Sequence, residues 1–148
     1  MASMQTVETD DDRRYLLLKR SAESSLVRDP ETGEERYLPN GAIEPVGVSP
    51  LAAAALAVPG PTREVLTAVH SERALGLLLE LDRDGPTTVR ELLGSYDCCE
   101  SDLHGLLGEF RAAGLVEECR LAGDPAYATT ERAGEGLAGL RDDGDTPE

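Results

Sequence analysis

Tryptophan is absent from this 148-residue chain, phenylalanine occurs once, and aromatic residues make up only 3% of it. Its core must therefore be built from Leu, Val and Ala, which a hydrophobic fraction of 40% can supply. Lysine is nearly missing as well, since 13 of the 14 basic residues are Arg and Lys19 stands alone. The longest uninterrupted apolar run, Leu51 to Val58, falls far short of the ~20 residues that cross a bilayer. The start of the chain, MASMQTVETDDD, has neither the basic n-region nor the apolar h-region of a secretory signal. Three cysteines without framework spacing exclude a disulfide scaffold and fit a reducing compartment. These absences predict a soluble cytoplasmic protein with no membrane partner.

Catalytic motifs are missing too. There is no G-x-x-x-x-G-K-[ST], no H-E-x-x-H and no G-x-S-x-G, and nothing juxtaposes a pair of carboxylates. The expectation is a protein that is not an enzyme and needs no cofactor.

What the chain has in abundance is negative charge. Its net charge is −15, from 29 acidic and 14 basic residues. Residues 1–40 carry nine acidic and six basic residues, whereas residues 41–148 carry twenty and eight. In dilute salt such acidity repels nucleic acid and membranes. An acidic, Lys-poor, Ala- and Gly-rich composition also fits a salt-loaded cytoplasm, where a Debye length of about 3 Å near 1 M salt removes most long-range repulsion. Arg13, Arg14, Lys19, Arg20, Arg28 and Arg36 make the N-terminal segment the least acidic part, read as a solvated, charge-mixed strand surface.

Short apolar runs at Tyr15 to Lys19 and Ser25 to Val27, with the turn signal Asp29-Pro30-Glu31-Thr32-Gly33, predict three or four antiparallel strands over residues 1–40. Residues 41–70 read as a linker followed by helices: Ser49-Pro50 opens LAAAALAV, Pro59-Gly60-Pro61 ends it, and Thr62 opens a helix with Val65, Leu66 and Val69 on one face. From Ser71 the spacing predicts a helix with Ala74, Leu75, Leu77, Leu78 and Leu81 inward, stopped at Gly85-Pro86. Thr88-Val89-Arg90-Glu91 is a capping box for a short helix burying Val89, Leu92 and Leu93. Asp97 can cap a helix over about 99–113, whose Leu103, Leu107 and Phe110 form one apolar stripe and which Gly114 terminates. A strand from Leu115, a turn at Gly123-Asp124-Pro125, a return strand through Tyr127 and a Thr130-capped helix follow. Residues 141–148 read as a disordered acidic tail.

The succession from Ser71 to Leu140, with AAGLVE closing one helix and YATTERAGEGL leading into the last, resembles winged helix-turn-helix regulators of the ArsR, MarR and TrmB type, in a haloarchaeal form. The N-terminal stretch LLLKRSAESSLVRDPETGEERYLPN resembles an uncharacterised haloarchaeal module, to which a protein partner could bind. The fold expected is α+β, a small N-terminal antiparallel β-meander followed by a mainly helical winged helix-turn-helix domain over 71–140. The resemblance implies a DNA-binding transcriptional regulator working on double-stranded DNA as a homodimer.

By that resemblance the groove-facing residues are Glu100, Ser101, His104, Gly105, Gly108 and Arg111, with Arg120 on the wing. Base-reading helices present Arg, Lys, Asn or Gln, whose side chains pair bidentately with base edges. Here Ser101 and His104 are the non-acidic polar candidates among Glu100, Asp102 and Glu109. Two readings follow, a regulator with few direct contacts or a winged helix serving protein interaction and dimerisation without reading DNA. Cys98 and Cys99 begin the helix, where a helix dipole favours a thiolate, and Cys119 lies in the first wing strand. They could form a thiol sensor, set against the plainer reading that they fill turn and core positions. No metal site is expected, because adjacent cysteines lack zinc-ligand spacing and only His70 and His104 could add imidazoles. The Ala-rich run Leu51 to Val58 and the small residues Gly134, Gly136, Ala138 and Gly139 would permit the close helix approach of a dimer.

Overall fold

In the computed structural model, residues 3–141 are described, so the acidic tail from 142 lies outside the described residues. The chain separates into two compact units, Met1–Pro59 and Gly60–Glu148.

The first unit is a five-stranded antiparallel sheet of β1 (Gln5–Thr9), β2 (Arg14–Arg20), β3 (Ser24–Arg28), β4 (Glu35–Pro39) and β5 (Ile43–Val46), ordered β4-β3-β2-β1-β5. Alternation puts Val7, Tyr15, Val27 and Ile43 into one buried cluster. The β3–β4 turn forms as its residues dictate. Asp29 Oδ1 accepts from the Glu31 N–H at 2.9 Å, and Gly33 at φ +77° closes the loop onto the Asp29 carbonyl at 2.8 Å. Tyr15 is buried under two guanidinium groups, Arg13 and Arg36, at 5.8 and 5.3 Å from the ring centroid. Arg36 also donates to the Tyr15 hydroxyl, and Arg13 pairs with Asp29 at 2.9 Å.

Two expectations change here. The segment read as a linker contains β5, which pairs with β1 from Thr6↔Val46 to Thr9↔Ile43. Gly41, Pro45 and Gly47 disguise it, yet Pro is tolerated because β5 is an edge strand and Ile43 gains a place in the core. The helix expected over Leu51 to Val58 shortens to α1 (Pro50–Ala54) and a 3-10 turn, Ala55–Ala57; α1 packs on β1 and β2 through buried Ala53.

The second unit contains α2 (Gly60–Ala68), α3 (Glu72–Asp84), β6 (Thr87–Thr88), α4 (Val89–Ser95), α5 (Glu100–Ala112), β7 (Val116–Leu121), β8 (Asp124–Thr129) and α6 (Glu131–Ala138). Its three strands form a small sheet ordered β6-β8-β7. Helix, short strand, two helices and a hairpin whose return strand pairs with that short strand make the winged helix-turn-helix topology. The α+β class therefore holds. Gly60-Pro61, expected to separate helices, instead starts α2, where Pro has no intrahelical N–H bond to forfeit. Leu66 is 51% exposed, so α2 faces inward through Thr62, Val65 and Ala68, with Val69 just beyond its end also packed on the core.

Capping follows the sequence closely. Ser71, Thr88 and Thr130 each accept from the N–H three residues on, at 3.1, 3.1 and 3.2 Å. Asp97 does not cap α5; Cys99 takes that position without a side-chain bond. Gly114, at φ +78°, ends α5 in a Schellman motif: its N–H reaches the Arg111 carbonyl and the Leu115 N–H the Phe110 carbonyl, at 3.0 and 2.8 Å. The stripe of Leu103, Leu107 and Phe110 is buried with Leu78, Leu81, Leu92, Leu115 and Leu137. The wing turn is not Gly123-Asp124-Pro125 but the pair Ala122-Gly123, both at positive φ (52° and 87°), a two-residue geometry suited to strand twist.

The small residues of α6 are occupied within the chain. A Cβ on Gly136 would stand 2.3 Å from the Pro61 carbonyl oxygen, and one on Gly139 2.3 Å from Thr62 Oγ1. Thr62 Oγ1 donates to the Gly136 carbonyl at 3.0 Å, and Arg132 clasps Glu64 with Nη2 at 2.8 Å from Oε1. The close approach read as a dimer feature is therefore the α2–α6 contact. Gly136→Ala is expected to lower unfolding stability by about 1–3 kcal/mol through overpacking, against the helix propensity of Ala. Gly134→Ala, on the same helix with its nearest neighbour at 3.4 Å, should be neutral or stabilising; urea titration of both variants checks the contrast.

Candidate nucleic-acid interface

α5 is held by its buried stripe, so its remaining faces point outward. Glu100, Ser101, His104, Gly105, Gly108 and Arg111 are all exposed, as sequence reasoning placed them. They form two stripes rather than one. Glu100, His104, Gly108 and Arg111 follow helical spacing toward the wing, with His104 Nε2 3.6 Å from Glu100 Oε1. Ser101 and Gly105 instead line a shallow depression with Ser71, Arg73 and Glu109 at the start of α3. A Cβ on Gly105 or Gly108 would meet nothing within 4 Å, leaving this surface low and open.

Between α5 and the wing lies a groove of about 580 Å³ bounded by Arg111, Glu118, Arg120 and Pro125. Both cations there are already engaged. Arg111 Nη1 sits 3.1 Å from Glu118 Oε2, and Arg120 Nη1 donates to the Gly123 carbonyl at 2.8 Å. Sequence reasoning missed Glu118 as the partner of Arg111; helix-to-strand contacts across a turn have no fixed spacing to signal them. With Glu100, Asp102, Glu109, Glu117 and Asp124 also on these elements, the field over the face is negative. Arg90, exposed on α4, is a further cation of the helix-turn-helix.

The three cysteines occupy different settings. Cys99 is exposed at the N-cap with its Sγ 3.4 Å from Ser101 Oγ, Cys98 is half-buried against the core, and Cys119 is half-buried in β7. All three are free, and no group of three metal-ligating side chains occurs among the described residues. The run Gly134-Glu135-Gly136-Leu137-Ala138-Gly139 has the spacing of a dinucleotide-binding glycine run. It lies inside α6 with Gly136 and Gly139 pressed on α2, not at a strand-to-helix turn, so it cradles no phosphate.

A family of unknown function, DUF7346, matches this chain over residues 4–141. The chain is a member of that family. No curated protein matches it in sequence. Among solved structures, it is similar to an ArsR-like transcriptional regulator from Rhodococcus sp. RHA1, at 20% identity and a TM-score of 0.45, over 54% of this chain and 76% of that one. The winged-helix assignment of this DUF7346 member rests on its own strand order and helix succession. Among the described residues, no helix is long and apolar enough to cross a membrane.

In this DUF7346 chain the turn between α4 and α5 is pinned by two contacts that sequence spacing did not announce. Tyr96 Oη donates to Glu80 Oε1 at 2.9 Å, and Arg73 Nη2 donates to the Asp97 carbonyl at 3.3 Å. The carboxylate accepting the Tyr96 hydroxyl, aided by desolvation, raises the phenol above its ordinary value. A raised folded value means that this contribution is complete below the unfolded phenol value of about 10 and is lost as pH rises through the folded one. Stability measured by urea titration should therefore decline above about pH 10, and the decline should flatten in Tyr96→Phe.

Proposed function

We propose that the winged-helix unit is the DNA-binding part of a transcriptional regulator, with α5 in the major groove of double-stranded DNA and the β7–β8 wing beside it. The observation that carries this reading is the exposure of Glu100, Ser101, His104, Gly105, Gly108 and Arg111 on a helix anchored by Leu103, Leu107 and Phe110. Ser101 and His104 are the side chains that would meet base edges, while Arg90, Arg111 and Arg120 would meet phosphates. So few cations imply weak salt dependence and a working range at high ionic strength, where the acidic surface is screened.

Selection of bound duplexes from random DNA in molar KCl, followed by footprinting, tests the proposal. The salt slope of log affinity should be shallow, near −2 to −3 for about three phosphate contacts. Ser101→Ala combined with His104→Ala should abolish sequence preference. Glu118→Gln removes the carboxylate that competes with phosphate for Arg111 and should strengthen non-specific binding. Unchanged binding in both variants would move the contact surface away from α5.

A second reading, a protein-interaction module that leaves DNA alone, is favoured by one observation: Arg111 and Arg120 are both spent on internal partners. Capture of protein partners with no enriched duplex would transfer the assignment to it. A homodimer would need a surface other than Gly136 and Gly139, which α2 closes. Sedimentation in molar KCl measures it, and the mass of a single chain would remove it.

A further inference from the structure

Beside the acidic face of α5, the second unit has a pocket of a different character. It lies between α3 and the start of α5, holds about 290 Å³, and is walled mainly by Gly76, Leu77, Leu103, Leu106 and the half-buried Cys98. Its polar edge is formed by the Tyr96–Glu80 hydrogen bond. A concave apolar site with few convergent polar groups is the form that small-molecule sites take, and this one is at the small end of their range. Gly76 forms its open wall: a Cβ built there meets nothing within 4 Å, although the residue is in the middle of a 13-residue helix. Glycine costs an exposed helix about 1 kcal/mol relative to Ala, so keeping that space free comes at the expense of helix stability.

We propose that this pocket binds a small uncharged apolar molecule bearing one N–H or O–H donor. The leucine walls favour an apolar body and penalise a charged one that leaves water. At the polar edge the unused capacity is for accepting. Glu80 Oε1 accepts the Tyr96 hydrogen bond, while Oε2 forms an ion pair with Arg83 Nη1 at 3.8 Å, beyond hydrogen-bond distance. The Arg73 guanidinium at the rim donates once to the Asp97 carbonyl, and with the Glu80 and Asp97 carboxylates beside it the rim is net negative, which disfavours an anionic ligand. A one- or two-ring molecule donating to Glu80 satisfies both requirements. Such an occupant touches α3 and α5 together, and its assignment does not rest on the DNA-binding reading.

Indole is a suitable probe, added to the full chain while backbone amide resonances are followed by NMR. Saturable shifts are expected at Gly76, Tyr96, Cys98 and Leu103, with Kd on the order of 0.1–1 mM for a ligand of this size. 1-Methylindole, which lacks the donor, should bind about tenfold more weakly, the worth of one hydrogen bond to a charged acceptor. Gly76→Leu should abolish the shifts and leave the unfolding midpoint equal or higher, because the side chain enters open space on a helix. Absence of saturable shifts in the unmodified chain, or equal shifts in folded Gly76→Leu, overturns the pocket. Equal affinity for indole and 1-methylindole overturns the donor requirement.

Discussion

At the far end of α5, a few hydrogen bonds join three elements. The Phe110 carbonyl accepts the Leu115 N–H, the Leu115 carbonyl accepts the Thr130 N–H at 3.0 Å, and Thr130 Oγ1 donates to the Gly114 carbonyl at 2.8 Å. That same hydroxyl oxygen accepts from the Ala133 N–H to start α6. One Schellman turn and one threonine therefore set the end of α5, the first residue of the wing and the cap of the closing helix. The only phenylalanine in the chain sits beneath this junction, fully buried. In a core so poor in aromatic rings, the precision that large flat side chains usually supply comes instead from backbone hydrogen bonds around one glycine. The angle at which α5 meets solvent, and the position of the wing beside it, both derive from that junction.

Electrostatics work in the opposite sense from packing. The chain has few cations, and much of that small store is held locally: Arg13 on Asp29, Arg36 on Tyr15, Arg111 on Glu118, Arg132 on Glu64 and Arg141 on Asp82. Two of these pairs, Arg111–Glu118 and Arg132–Glu64, have both side chains exposed, where each contributes little to stability. Their effect is to leave the surface more uniformly negative than the residue count alone suggests. Dissolved salt screens such a field and weakens its repulsion of other anions.

Sequence reasoning was strongest where a local rule has a local cause. Ser71, Thr88 and Thr130 cap because a hydroxyl one turn below an N–H needs nothing from the rest of the fold, and the stripe Leu103, Leu107 and Phe110 follows from helical period alone. It failed where the cause was distant. β5 was hidden because Gly and Pro mask a strand whose pairing partner lies more than thirty residues earlier. The glycines of α6 signalled a close helix approach correctly but could not say which helix approaches. For the interface, exposure of the α5 residues was legible from periodicity. Engagement of Arg111 by a wing glutamate was not, because it depends on how a turn folds two elements together.

The wing illustrates what such local closure implies. Its two strands of six residues extend about 20 Å at the usual strand rise. Their tip is a tight pair, Ala122 and Gly123, cinched by Arg120, and it has no cation to offer at the end. A hairpin so short and so fully tied has little freedom to surrender on contact and little chemistry with which to hold on. If α5 meets DNA as proposed, such a hairpin would act as a stand-off, setting how near the duplex can come to the helix.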